Sequence, residues 1–199
     1  MHQYAGLKEK NFLLALTRIW GSVPSLIMGI FGFLMMLFLR RMLGLDARPS
    51  LMLSAFSLSL LILPYGVFAV FSALQGLPQG FQTAGPALGA KKLQNLFFVL
   101  LPLSLPRMSA GFLLAAGRAL EDTAVIMLTG AAALAGFPSG LLNAFEALPF
   151  FIFTQSAEHH DEAHLARTLI AALIMLILAA LLGALTRKLE KKSLYQDAE

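Results

Sequence analysis

Apolar residues in this chain come in long unbroken runs, with neither the alternation of a strand nor the narrow stripe of a surface helix. Residues 22–39, 51–73, 108–136 and 166–186 each hold about 18 or more, enough for a helix to cross a hydrocarbon core roughly 30 Å thick. Four such runs predict an all-α fold, a polytopic membrane helix bundle with four transmembrane helices. Interfacial, re-entrant and cytoplasmic coupling helices are expected beside them. Residues 1–199 read as a single transmembrane domain, with no internal repeat and no boundary that would separate two folded domains.

The segments between the runs add detail. Residues 1–21 predict an interfacial helix on the cytoplasmic side, with Arg18 and Trp20 at headgroup depth. Pro24 sits where a first-turn proline is tolerated. Gly29 and Gly32 leave a smooth surface for close helix contact, and Pro64 predicts a kink in the second span. Residues 74–107 are too polar to span and too apolar for a disordered linker. They predict two short helices, with Gly89 stopping the first and Lys91 and Lys92 starting the second. The run LLNAFEALPFFIF at 141–153 is too short to cross and predicts a re-entrant or interfacial piece.

Composition strengthens the membrane reading: 58% of the 199 residues are hydrophobic and 13% are charged, which a water-soluble surface could not cover. The absence of cysteine excludes disulfides and thiolate metal sites. The start, MHQYAGLKEK, has no compact apolar core ahead of a small-residue cleavage site, so no removable signal peptide is expected. The net charge of +4 is scattered beside the spans, which disfavours nucleic acid as a partner and fits the positive-inside rule. With both termini cytoplasmic, ten basic residues lie inside and four (Arg40, Arg41, Arg48 and Arg167) lie outside, with Arg118 in the membrane. The Arg40-Arg41 pair runs against that preference.

The charges inside the third run are the candidate chemistry. At 100° per residue Gly111, Ala115, Arg118, Asp122, Val125 and Thr129 fall on one face, bordered by Glu121. A central charge costs roughly 2.5–3.5 kcal/mol on the insertion scale, so the trio is expected to face the bundle interior or a water-filled path. Arg118 stands four residues from Asp122 and three from Glu121, within pairing distance on a helix. A guanidinium presents a planar fork of donors to phosphate oxygens. The same trio read structurally is an ion-pair network that permits insertion, and with both acids ionised it carries a net −1. The acids as proton carriers, as intramembrane acids serve in pumps, are the weaker alternative. A polar cluster of Glu158, His159, His160, Asp161, Glu162 and His164 holds two histidines four apart but lacks the HExxH order, so no metal is expected.

Thr83-Ala84-Gly85, then Gly89, Val99 and Leu101-Pro102 reproduce the spacing of the cytoplasmic EAA loop, so the chain resembles the permease subunits of ABC importers. In that loop the family has Glu where Thr83 stands and Ala where Gly85 stands, and Pro86 falls inside the docking helix. Within the superfamily the chain is most similar to the A-type permease of the phosphate (Pst) system, PstA. GSVPSLIMGIFG, SLLILPYG and GRALEDTAVIMLTG carry that likeness over nearly the whole length. The family usually has six spans, and the chain begins where the third would begin, so two are expected to be missing or supplied elsewhere.

The resemblance implies a non-enzymatic transport subunit in a bacterial inner membrane. It implies a homologous C-type permease, a dimer of ATP-binding subunits and an extracytoplasmic phosphate-binding protein as partners, besides the lipid bilayer. No cofactor is expected on this chain: it holds no GxxxxGK[ST] loop, and ATP-Mg belongs to the ATPase. Thr83, Ala84, Gly85, Gly89, Ala90, Lys91, Leu101 and Pro102 would couple to that ATPase, while Arg118, Glu121, Asp122 and Thr129 would line the substrate path. Another oxyanion, another small solute, or a truncated permease acting as a scaffold are the alternatives. An intramembrane enzyme would need a nucleophile or metal triad at one depth, which the sequence does not show.

Overall fold

A computed structural model describes residues 7–44, 46–157 and 162–196. Among these the chain is all-helical apart from one isolated bridge between Ala131 and Phe145. The elements are α1 (Leu7–Gly21), α2 (Ser25–Met42), α3 (Leu51–Gln75), α4 (Gln79–Ala87), α5 (Lys92–Asn95), α6 (Leu101–Leu120), α7 (Ala124–Thr129), α8 (Leu148–Ala157) and α9 (Glu162–Gln196). Four stretches are long and apolar enough to cross a membrane: Ser25–Met42, Leu51–Gln75, Lys92–Leu120 and Glu162–Glu190. Three of them overlay the expected spans within a few residues.

The third does not. The expected span ran over 108–136, whereas the helix starts at Lys92 and stops at Leu120. Between α5 and α6 the residues Leu96–Leu100 form one wider π-helical turn, closed by the Leu101 N–H on the Leu96 carbonyl, so the rod is continuous through FFVLLPLSLP. The helix carries Pro106 within it. The far end breaks at 121–123, and after Gly130 the chain is irregular up to α8. The expected piece at 141–153 likewise becomes helical only from Leu148.

The chain divides into two compact units. One contains the described residues of 1–22, 63–116 and 182–199. Here α1 packs on the later half of α3, with Gly21 against Pro64 and the Lys10 ammonium 5.2 Å above the Phe71 ring. Gly111 of α6 lies so close to α3 that a Cβ there would fall 2.3 Å from the Ala69 Cβ. The short helices α4 and α5 complete this unit. Helix α4 ends in a Schellman motif: Leu88 is the cap, Gly89 takes φ +85°, Ala90 N–H bonds the Gly85 carbonyl and Gly89 N–H bonds that of Pro86. Gly89 therefore stops one helix and the next begins at Lys92, as its sequence predicts. The Gln94 side chain accepts from the Lys91 backbone N–H at 2.9 Å and anchors that start.

The other unit contains the described residues of 23–62 and 117–181. Its core is Met28, Leu61 and Val125, flanked by Val23, Leu58 and Leu60. Gly29 and Gly32 do make the close helix surface expected of them, Gly29 against the Ala124 carbonyl and Val125, Gly32 against Ser57 and Thr129. The irregular residues after α7 have a defined task. The carbonyls of Asn143 and Leu141 accept from Leu51 and Met52 N–H, at 3.0 and 2.8 Å, and the Thr129 carbonyl accepts from Ser50 N–H. The first turn of α3 would otherwise leave these donors unpaired.

Candidate functional site

The break between α6 and α7 places the four expected path residues very differently. Arg118 stands in the last turn of α6 with its side chain exposed, and Glu121 just beyond is exposed as well. Asp122 is 4% exposed. Its Oδ1 accepts from the Val125 backbone N–H at 2.8 Å, which makes it the carboxylate that starts α7. Thr129 is fully enclosed: its hydroxyl donates to the Val125 carbonyl at 2.6 Å and meets the Ser54 hydroxyl at 2.9 Å.

The predicted single face is therefore interrupted. The helix ends between Arg118 and Asp122, so the 100° rotation that aligns them in projection does not hold across 121–123. Among the described residues no ion pair joins Arg118 to either acid, whereas the exposed Arg48 and Asp46 do pair, at 2.8 Å. Asp46 beside it raises the Arg48 pKa, through a hydrogen bond and then through charge attraction. Asp122 is held by a backbone donor, and the exposed Arg118 guanidinium pairs with neither acid.

The coupling segment is a second, separate candidate. Thr83, Ala84, Ala87 and Leu88 are exposed on α4, with Leu88 at 90%, and Lys91 is exposed ahead of α5. Thr83 turns its hydroxyl back onto the Gln79 and Gly80 carbonyls, at 3.2 and 3.3 Å. Gly85 and Ala90 are half-buried, Gly89 is exposed at the helix stop, Leu101 is half-buried and Pro102 exposed on the rod. Sequence reasoning missed Asn95, which is buried between α4 and α5 with its Nδ2 donating to the Gln82 carbonyl at 3.3 Å. Nothing in its spacing distinguishes it from a surface asparagine. Four of the six polar cluster residues, 158–161, lie outside the described residues; among those described no group of three metal-ligating side chains occurs.

Comparison with known proteins gives a consistent picture. A family model for the binding-protein-dependent transport system inner membrane component matches residues 4–194. The chain is 28% identical over 151 residues to the probable ABC transporter permease protein YqgI of Bacillus subtilis, covering 75% of this chain and 48% of that protein. It is 27% identical over 167 residues to the phosphate transport system permease protein PstA 1 of Mycobacterium tuberculosis, covering 81% and 51%. It is 31% identical over 126 residues to the spermidine/putrescine transport system permease protein PotC of Haemophilus influenzae, covering 63% and 45%. The chain thus spans about half the length of the curated relatives it matches. No solved structure matches it.

Proposed function

The chain belongs to the family of binding-protein-dependent transport system inner membrane components, and on that premise we propose that it forms part of the translocation path of an ATP-driven importer of inorganic phosphate. The carrying observation is Arg118: an exposed guanidinium at the end of α6, with no ion pair to Glu121 or Asp122. A planar fork of donors suits a phosphate dianion and repels a polyamine. Two features support the anion reading further. Asp122 is buried on the Val125 N–H and makes no ion pair with the exposed Arg118, and several relatives are named phosphate permeases.

In this reading the chain works in a bacterial inner membrane with both termini cytoplasmic. It pairs with a homologous C-type permease and receives phosphate from an extracytoplasmic binding protein. Helices α4 and α5 dock on a dimer of ATP-binding subunits, which hold the ATP-Mg. Closure of that dimer moves the docked helices, and the rod Lys92–Leu120 carries the movement into the membrane as a rigid body.

The test is uptake of labelled phosphate into proteoliposomes holding this chain with its partner permease and ATPase. Competition by arsenate and not by sulfate supports phosphate. Uptake that persists without ATP overturns the importer reading, and uptake of spermidine in place of phosphate overturns the anion.

A further inference from the structure

We propose that Asn95 is a positioning residue for coupling, locking α4 against α5, and that Gly85 is the residue that makes room for it. This rests on the reading that the α4–α5 segment meets the ATPase.

Asn95 is 1% exposed, buried from the surface any partner would touch. Its Nδ2 holds the Gln82 carbonyl of α4, thirteen residues back in the chain, while its Oδ1 has no donor. A buried amide oxygen without a partner is destabilising, so the side chain is not held there by polar satisfaction alone. Shape explains its placement. A Cβ on Gly85 would fall 2.2 Å from Asn95 Oδ1, 2.6 Å from its Cγ and 3.1 Å from its Cβ. Rotating the Asn95 side chain away from such a Cβ would move its Oδ1 and Cγ and with them the bond from Nδ2 to the Gln82 carbonyl, and would still leave a tight contact at the Asn95 Cβ. Glycine at 85 and asparagine at 95 are thus a matched pair, and the departure of Gly85 from the loop's alanine is compensated by Asn95.

The position of the pair gives it leverage. On α4 the neighbouring Ala84, Ala87 and Leu88 are exposed, and α5 exposes Leu93. Asn95 sits on the hidden side, and the π-helical turn Leu96–Leu100 follows it directly into α6. An angle fixed at Asn95 is therefore passed to the membrane rod without Asn95 touching the partner.

The experiment uses the full chain reconstituted with its partner permease and ATPase, with inorganic phosphate as the probe. The chain has no cysteine, so Gly80→Cys and Leu93→Cys introduce the sole pair of thiols for spin labels across α4 and α5. Gly80 has open space where a side chain would start, and Leu93 is exposed. Gly85→Ala is expected to lower phosphate taken up per ATP hydrolysed by about threefold or more, and to shift the label distance. Asn95→Ala alone is expected to broaden the distance and to lower the ratio to a similar extent, and the double variant to be no worse than Gly85→Ala, since both changes break the same contact. The proposal is overturned if Gly85→Ala or Asn95→Ala leaves ratio and distance unchanged, or if the two losses add in the double variant. Should the parent complex hydrolyse ATP but take up no phosphate, the substrate reading fails, and the label distances in the two single variants and the double variant still decide the lock.

Discussion

The hydroxyls of Ser54 and Thr129 meet at 2.9 Å where α3 passes α7, and both side chains are closed to solvent. Thr129 spends its proton on the Val125 carbonyl at 2.6 Å, so Ser54 is the donor in their shared bond. The chain of three groups ties the first turns of α3 to the helix that follows the membrane break.

Removing the middle of that chain is costlier than removing its end. Thr129→Val keeps the shape but leaves the Ser54 hydroxyl without its acceptor, and should lower stability by about 1–2 kcal/mol. Ser54→Ala should cost less, because Thr129 keeps its bond to Val125. The double variant should be no worse than Thr129→Val alone, since the two share one interaction. Thermal denaturation of the detergent-solubilised protein reads all three; additive losses would contradict the arrangement.

Two glycines on one protein separate packing from propensity. A Cβ at Gly32 would lie 2.3 Å from Ser57 Oγ and 2.8 Å from Thr129 Cγ2, while a Cβ at Gly183 meets nothing within 4 Å. Gly32→Ala should therefore destabilise by about 1–3 kcal/mol through overpacking. Gly183→Ala, in the interior of α9, should be neutral or stabilising by up to about 1 kcal/mol. Melting temperatures that move alike for the two variants would show that α2 does not approach α7 this closely.

Much of this architecture is legible in the sequence because the bilayer imposes it. A run of apolar residues long enough to cross has few alternatives, so α2, α3 and α9 fall within a few residues of expectation. Gly89 likewise marks the stop of a helix, because a left-handed residue has recognisable chemistry. The start of the third helix is less legible, because residues 74–107 read as too polar to span while the helix already runs from Lys92 through a π-helical turn at Leu96–Leu100. The candidate site suffered from the opposite error. A helical projection across 115–129 assumes an unbroken helix, and Asp122-Thr123 ahead of the apolar run Ala124–Leu128 is also a helix-start signature. Contacts such as Gly85 with Asn95 leave no trace in periodicity at all, since they depend on two helices meeting.

The helix-start role of Asp122 predicts a sharp difference between two substitutions. Asn caps a helix about as well as Asp, so Asp122→Asn should keep stability within about 0.5 kcal/mol. Asp122→Ala should lose about 0.5–2 kcal/mol, because the Val125 N–H is then buried without an acceptor. Thermal denaturation in detergent checks both. Equal losses in the two variants would mean that the carboxylate charge, and not the cap, holds the break.

Arg118 gives the complementary case, a residue expected to matter for transport and not for folding. Its side chain is exposed and pairs with neither acid, so Arg118→Gln should change stability by less than about 0.5 kcal/mol. The charge-assisted bonds it would make to phosphate oxygens are worth about 1.5–3 kcal/mol, and their loss should cut phosphate uptake about ten- to a hundredfold at unchanged expression. Arg118→Lys keeps the charge but not the planar fork, and should fall between the two. Uptake and melting temperature together discriminate the roles. Full uptake by Arg118→Gln rules out contact with the substrate, whereas uptake and melting temperature falling together would make Arg118 a structural ion. Loss of uptake alone, with partial recovery in Arg118→Lys, follows only from a guanidinium that meets the anion on its way through.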